Sequence, residues 1–429
     1  MLNLKRFREI VGNKSHKQII ENYFSLSILN GLNILLPLVT LPYLVRILGP
    51  EKYGTVSFVL VIIQYITLIS NYGFTYSATK LISQNRDNIQ KVSLFFSSII
   101  HVKFIISICI SIVLIVCVLN IPKLHNEYIL YIMSAGIIFG DILNPTWLFQ
   151  GMEKMKYMTL INFISKGSFT ILTFFVITKV SDYPYVCLLT SIGYLLSGIF
   201  SMFLAFNIFK IKLVIPKRKD YLFQIKEGWY IFVSSLGMNL YRNTNIFILG
   251  IFTSDSVVGL YSAAEKVIRA LQTPITPLSE ALYPYFSNRF HKNSESDNIS
   301  VLFRLGKYYL FALGILSLAV FFLSGYLTTI ILGNKFIATS INIKIMSFVI
   351  LFGGLNYLFG IIGLVNLNMK REFAIAVLIA GFTCISITGI FCRFYFEKAA
   401  SFGMLASEMV LFVIILSNLM KMLNKESVT

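Results

Sequence analysis

The sequence predicts an all-α integral membrane protein with about twelve transmembrane helices in two six-helix bundles, and three observations carry that prediction. Apolar runs of membrane-spanning length succeed one another along all 429 residues. The short loops between them alternate between strongly basic and nearly neutral. A glycine-centred motif recurs at corresponding places in the two halves. Composition agrees: 56% of residues are hydrophobic, 13% are charged and the mean hydropathy is +0.75, whereas a soluble domain is about a quarter charged. The net charge of +18 does not signal nucleic acid, because the bases are dispersed among loops rather than gathered on one face.

A hydrocarbon core about 30 Å thick needs roughly 20 helical residues at about 1.5 Å rise each. Runs of that kind lie near 23–45, 54–78, 94–119, 128–149, 157–178 and 184–209, and then near 228–252, 259–287, 307–332, 341–366, 373–396 and 401–423. The expected organisation is a first bundle over 1–209, a linker over 210–227 and a second bundle over 228–429. The first run, Tyr23 to Val45, is too long for a signal-peptide core and lacks a small-residue cleavage site, so it is expected to stay as an anchor. Cys109, Cys117, Cys187, Cys384 and Cys392 fall inside spans without CxxC spacing and read as small apolar packing residues.

Charge fixes the expected orientation. Of 37 Lys and Arg residues, 24 fall in the tails and alternate loops, 7 in the opposite loops and 6 within spans. Both termini are therefore expected in the cytoplasm of a multi-pass protein. The richest loop, Lys210 to Lys226, joins spans six and seven, where an inter-bundle linker belongs, and its bases also suit anionic lipid.

The exit of span one reads VRILGPEKYGTVSF (Val45 to Phe58) and the exit of span seven reads FILGIFTSDSVVGLYSAA (Phe247 to Ala264). Both carry Ile-Leu-Gly, a short polar turn, then Gly with a neighbouring Tyr opening the next helix. Six spans separate them, so the halves share one orientation and a pseudo-twofold axis should run along the membrane normal.

Polar groups inside spans carry the expected function, because burying them in lipid costs free energy unless they line water or one another. Span eight shows Ser262, Glu265, Lys266, Arg269, Gln272, Thr273, Thr276, Ser279 and Glu280 at helical spacing. Span two shows Ser57, Gln64, Thr67, Asn71 and Thr75. Span seven adds Ser235, Asn239, Arg242 and Asn245, and span one adds Ser27, Asn30, Asn33 and Thr40, with Pro37 and Pro42 expected to kink it. These four spans are expected to line one water-filled cavity. Its candidate ligand contacts are Arg242, Lys266, Arg269, Asn239, Gln64 and Asn71, and the basic members suit an anion. The competing reading is that Glu265 and Arg269, four residues apart, only neutralise each other. Glu265, Glu280 and Asp141 are candidate proton or cation carriers. Asp141, Glu408, Lys103, Lys166 and Lys344 stand singly in other spans, where pairing or snorkelling explains them first. No phosphate-binding loop, HExxH or ligand-spaced His/Cys cluster is present, so no cofactor, metal or catalytic group is expected.

The stretches NYFSLSILNGLNILLPLVTLPYLVRILGPEKYGTVSF, NPTWLFQGMEKMKYMTLINFISK and GLYSAAEKVIRALQTPITPLSEALYPYFSN resemble the Wzx-type O-antigen flippases of the multidrug/oligosaccharidyl-lipid/polysaccharide exporter superfamily. The likeness runs over essentially the whole chain. It implies a V-shaped, alternating-access transporter of the bacterial inner membrane. The implied cargo is undecaprenyl-diphosphate-linked oligosaccharide, and a polysaccharide polymerase and chain-length regulator are the implied partners. In related lipid II flippases basic cavity residues hold the diphosphate, a role Arg242, Lys266 and Arg269 match by position. Span one departs from that pattern, having no arginine between Tyr23 and Val45. Two alternatives remain. A drug or cation exporter of the same superfamily should favour an acidic or aromatic cavity. A polytopic polymerase or ligase needs a large outward loop, and the outward loops here are short.

Overall fold

The computed structural model describes residues 14–273, 286, 290, 295–367 and 369–426. Of these, 14–24, 26–27, 30, 32–35, 230, 234–242, 295–296 and 424–426 are described by backbone alone. Every regular element among them is helical. In chain order the main helices are α1 (Lys14–Asn71), α2 (Phe74–Gln84), α3 (Ile89–Asn120), α4 (Tyr128–Ile142), α5 (Thr146–Gly151) and α6 (Met155–Val176). They continue with α7 (Tyr183–Asn207), α8 (Arg218–Phe252), α9 (Asp255–Gln272), α10 (Glu295–Leu327), α11 (Thr339–Asn356) and α12 (Lys370–Glu426). π-helical turns prolong α10 to Leu332 and α11 to Leu364.

Among the described residues, eight helical stretches are long and apolar enough to cross a membrane. Two of them, Leu36–Gln84 and Lys370–Leu423, run for 49 and 54 residues, more than twice the roughly 20 that one crossing needs. The first is interrupted at Gly49 and again at Tyr72 and Gly73, between α1 and α2, and the second at one residue. Helical dihedrals continue through Pro37 and Pro42, and the break in α1 comes at Gly49 (φ 73°, ψ 174°). Only glycine enters that region without strain, and Pro50 behind it disfavours helix at its predecessor. In α12 the break is at Phe396 (φ 50°, ψ −129°), a strained position for a bulky residue. The described parts of spans seven and eight of the sequence are helical in α8 and α9 and are not among these eight stretches. Among the described residues, α9 holds Asp255, Glu265, Lys266 and Arg269, and α8 has an apolar stretch over Asn243–Phe252.

The chain divides into two compact units, unit 1 over Met1–Thr40 and Val59–Leu236, and unit 2 over Leu41–Phe58 and Gly237–Thr429. Unit 1 is centred on Phe74, Phe96, Trp147, Phe149 and Phe209, with Phe96 5.7 Å from Trp147 between ring centroids. The linker after α7 lies along α3 in this unit, where the Ser93 and Ser97 hydroxyls accept from the backbone N–H groups of Lys212 and Val214 at 3.0 Å. Unit 2 is centred on Leu302, Leu358, Phe359, Ile362 and Ile415. Ile112, Val113 and Leu119 of α3 are exposed, as a lipid-facing helix requires.

In unit 2 the end of α1 meets the start of α9 backbone to backbone. A Cβ on Gly54 would stand 1.8 Å from the Asp255 carbonyl oxygen, and one on Gly259 would stand 1.9 Å from that of Pro50. The repeated motif therefore marks a contact between its own two copies. Thr55 Oγ1 donates to Asp255 Oδ2 at 2.7 Å, and Ser262 Oγ donates to Ser57 Oγ at 3.2 Å, which secures the register. Small residues allow such approach where lipid offers no hydrophobic gain on helix contact. Gly259→Ala should force the helices apart at a cost of about 1–3 kcal/mol or more. A lower melting temperature and lower membrane abundance for Gly259→Ala, with wild-type values for Gly314→Ala, whose added methyl meets nothing within 4 Å, is the expected outcome. A wild-type melting curve for Gly259→Ala would show that the contact is dispensable.

Candidate functional site

The polar stripe of α9 splits into an inner and an outer part. Ser262 is fully buried against Ser57, and Glu265 is 5% exposed. Lys266 is exposed, and Arg269 is about one-third exposed. Arg269 donates from Nε and Nη2 to Glu265 Oε1 at 2.9 and 2.5 Å, so the expected pair forms. The buried carboxylate offsets one of the two bases. Lys266 Nζ turns instead to the buried Tyr53, donating to its hydroxyl at 2.8 Å and lying 5.0 Å from the ring centroid. Such cation–π contacts hold an ammonium in place without neutralising it. Tyr53 is itself fixed edge-on against Phe336, 6.2 Å away. Among the described side chains of this face the sum of charge is one positive unit, carried by Lys266.

Tyr53 escaped the sequence reading as a site residue. Its signal was the tyrosine that neighbours glycine in the repeated motif, because the Gly54 contact sets where that ring stands. Arg242 and Asn239 lie on α8 with side chains outside the described residues, as does the whole of Glu280. Asn245 is placed differently from the expected cavity wall. It is 4% exposed and donates to the Tyr261 hydroxyl at 2.8 Å and the Ala400 carbonyl at 3.3 Å. Its Oδ1 accepts from Thr388 at 2.8 Å and Cys384 at 3.3 Å. A carboxamide so engaged ties α8, α9 and α12 together and is structural.

In unit 1, Gln64 is exposed, while Asn71 and Asp141 come together: Asn71 Nδ2 donates to Asp141 Oδ2 at 3.0 Å. The same oxygen takes the Lys103 ammonium at 3.2 Å, and Lys103 also donates to the Asp141 carbonyl at 2.8 Å. Lys103 is 1% exposed against 22% for Asp141. The carrier candidate Asp141 is thus ion-paired with Lys103, which had been read as standing alone, and hydrogen-bonded by the ligand candidate Asn71. Of the other single charges, Lys344 lies over the Phe321 ring at 4.6 Å. Glu408 accepts from Asn356 at 2.7 Å, and Lys166 lines a cavity inside unit 1.

Removing one partner of a buried pair strands the other charge, typically at about 3–5 kcal/mol, whereas replacing both by apolar groups is often neutral. Asp141→Ala should therefore lower melting temperature and abundance markedly, and Lys103→Met with Asp141→Ala should recover most of both. Equal loss in single and double variants would contradict a pair that acts mainly through mutual neutralisation.

The family described as "Polysaccharide biosynthesis protein" matches residues 19–290. A protein of Escherichia coli (strain K12) described as "Putative O-antigen transporter" is 28% identical over 396 residues, 92% of this chain and 95% of its own length. A protein of Shigella dysenteriae with the same description is 29% identical over 318 residues, 74% of this chain and 78% of its own. Among solved structures, the lipid II flippase MurJ in an inward closed conformation superposes with a TM-score of 0.69 at 13% identity, covering 93% of this chain and 87% of its own. An inward-facing multidrug resistance MATE family transporter of the MOP superfamily gives a TM-score of 0.71 at 12% identity, covering 91% and 96%. The last two establish a shared helical membrane fold.

Proposed function

Because the chain belongs to the polysaccharide biosynthesis protein family, we propose that it is a flippase that moves undecaprenyl-diphosphate-linked oligosaccharide, an O-antigen or related repeat unit, across the cytoplasmic membrane by alternating access. The reading is supported by relatives described as O-antigen transporters and by a fold shared with a lipid II flippase. The observation that carries it is the outer face of α9, where Lys266 and Arg269 are exposed to different degrees over a buried Glu265. An intramembrane base costs about 2.5–3.5 kcal/mol at a helix centre, and a diphosphate that neutralises it returns that cost when bound. The same positive face disfavours the cationic drugs of an exporter.

Lys266, held by Tyr53, supplies a point charge to the diphosphate. Arg269 supplies a fork suited to two phosphate oxygens, with Arg242 and Asn239 of α8 as further contacts. Within unit 1, considered by itself, Gln64 and Asn71 are the candidate substrate contacts. Glu265 competes with phosphate for the Arg269 guanidinium. Glu265 is a candidate proton or cation carrier. Glu280 and Asp141 are the other candidate carriers. No phosphate-binding loop for nucleotide stands in the sequence, so the work is assigned to an ion gradient or to product removal.

The substrate role and the purely structural role of the pair part company under substitution. Arg269→Ala strands the buried Glu265 and should lower abundance, and at matched protein level it should abolish O-antigen display in a deletion strain, with Arg269→Lys recovering part because the fork is lost. The double variant Glu265→Ala with Arg269→Ala should stay inactive. A double variant that restores both abundance and display would sink the substrate role of Arg269.

The charge asymmetry of the loops assigns both termini and the Lys210 to Lys226 linker to the cytoplasm. Alkaline phosphatase fused after Lys123 or Lys179 should be active, and fused after Lys219 or Lys425 inactive. The opposite pattern would invert the topology.

A further inference from the structure

α7 ends at Asn207 and α8 opens at Arg218, and the linker between them is held to unit 1 at both ends. Phe209 and Ile211 are buried in the core of the unit, and Pro216 is buried at the far end. Lys210 takes a left-handed φ of 56°, a costly conformation for a residue with a Cβ, and turns the chain off α7. Between the anchors, the Ser93 and Ser97 hydroxyls of α3 hold the N–H groups of Lys212 and Val214. The linker is a strap whose course is fixed by its own backbone.

What the strap presents outward is apolar. Leu213 is 65% exposed, Val214 41% and Ile215 90%. Exposed apolar side chains on membrane-crossing helices are explained by the lipid around them, but these three stand outside any helix. Three in succession on a pinned backbone mark a contact surface. Around them stand the exposed bases Lys210, Lys212, Lys217, Arg218 and Lys219, and among the described residues none of these is ion-paired. The neighbouring acid, Asp220, accepts from the Lys217 backbone N–H at 2.8 Å and caps α8.

The surface continues onto the first turns of α8. Lys219, Leu222, Phe223, Lys226 and Trp229 are exposed at spacings of three and four and so form one stripe. The opposite face is spent on α3 and on the turn between α1 and α2. There the Tyr221 hydroxyl meets His101 Nδ1 at 3.2 Å and Gln224 donates to Ser98 Oγ at 3.3 Å, while a Cβ on Gly228 would stand 2.7 Å from the Tyr72 carbonyl oxygen. Bases interleaved with apolar and aromatic side chains suit the level of lipid headgroups, where phosphates meet the cations and rings and stems lie among acyl chains.

We propose that the strap and the first turns of α8 form a docking surface for anionic phospholipid. Headgroup phosphates sit on Lys212, Lys217, Arg218 and Lys219, and Leu213 and Ile215 insert beneath them. Nucleic acid or an acidic protein segment would satisfy the bases and leave the apolar tip in water. Zwitterionic lipid would cover the tip and leave the bases without a net counter-charge. The surface seats unit 1 at the membrane interface, and it is independent of the glycan that the chain carries.

The two tryptophans of the chain supply the test, Trp147 being 1% exposed in the core and Trp229 50% exposed on the stripe. Full-length protein is placed in nanodiscs of equal phosphatidylcholine and phosphatidylglycerol, with bromine on the acyl chains of one lipid and then of the other. Trp229 is quenched by the lipid that stands beside it, and Trp147 gives a constant background. A base near an anionic surface favours it by about fivefold, so brominated phosphatidylglycerol should quench as though enriched about threefold or more beside Trp229. Lys212→Gln with Lys217→Gln, Arg218→Gln and Lys219→Gln should bring the two lipids to parity. Lys179→Gln, which removes an exposed base at the far end of α7, should leave the preference unchanged. Ile215→Trp in a Trp229→Phe background reads the tip itself and should be quenched, with the same preference for phosphatidylglycerol. Equal quenching by the two lipids in the wild type overturns the proposal, as does a preference that survives the combined Gln variant or falls as far with Lys179→Gln. An unquenched Ile215→Trp overturns insertion of the tip. Loss of the preference on adding inorganic phosphate at constant ionic strength overturns lipid as the ligand in favour of free phosphate.

Discussion

The backbone contact between Gly54 and Gly259 is the constraint on which the α9 site depends. With each missing Cβ replaced by a neighbour's carbonyl at under 2 Å from where it would stand, the two helices have no freedom to slide. Tyr53, next to Gly54, is thereby set beside Lys266. Thr55 and Ser57 follow at helical spacing and bond to Asp255 and Ser262. The segment Leu41–Phe58 consequently belongs to unit 2 although the rest of its helix belongs to unit 1.

The energetic logic of the polar groups is the same throughout. In lipid, a side chain that can find a protein partner does so, and those that cannot are kept for something else. Asn245 saturates its carboxamide with four neighbours, Lys103 closes on Asp141, and Arg269 closes on Glu265. These arrangements specify packing and are expensive to half-remove. Lys266 differs, because tyrosine orients it without cancelling its charge, so polarity remains there that the described fold does not consume.

The all-helical membrane fold was legible because apolar runs of fixed length are a one-dimensional signal. α3, α4, α6 and α7 fall where the hydropathy pattern puts them. The break in α1 was less legible: Pro37 and Pro42 advertised a kink, yet helical dihedrals end at Gly49, where a positive φ and a following proline act together. Periodicity placed Ser262, Glu265, Lys266 and Arg269 on one stripe but could not divide it into a buried edge and an exposed edge, since that division depends on which helix packs alongside. The Glu265–Arg269 pair was readable from its four-residue spacing. The Lys103–Asp141 pair was not, because 38 residues separate its members and only tertiary packing joins them.

The central claim is that a base fixed on α9 carries a lipid-linked glycan across the bilayer. Its most direct test is transport in proteoliposomes loaded with undecaprenyl-diphosphate-linked oligosaccharide, with outward exposure of the glycan read by an external lectin. Wild-type vesicles should expose inner-leaflet substrate with time, and vesicles holding the same amount of folded Lys266→Ala protein should not rise above protein-free vesicles. Equal rates for the two proteins, or no exposure by the wild type under an imposed proton gradient in either direction, would contradict the account.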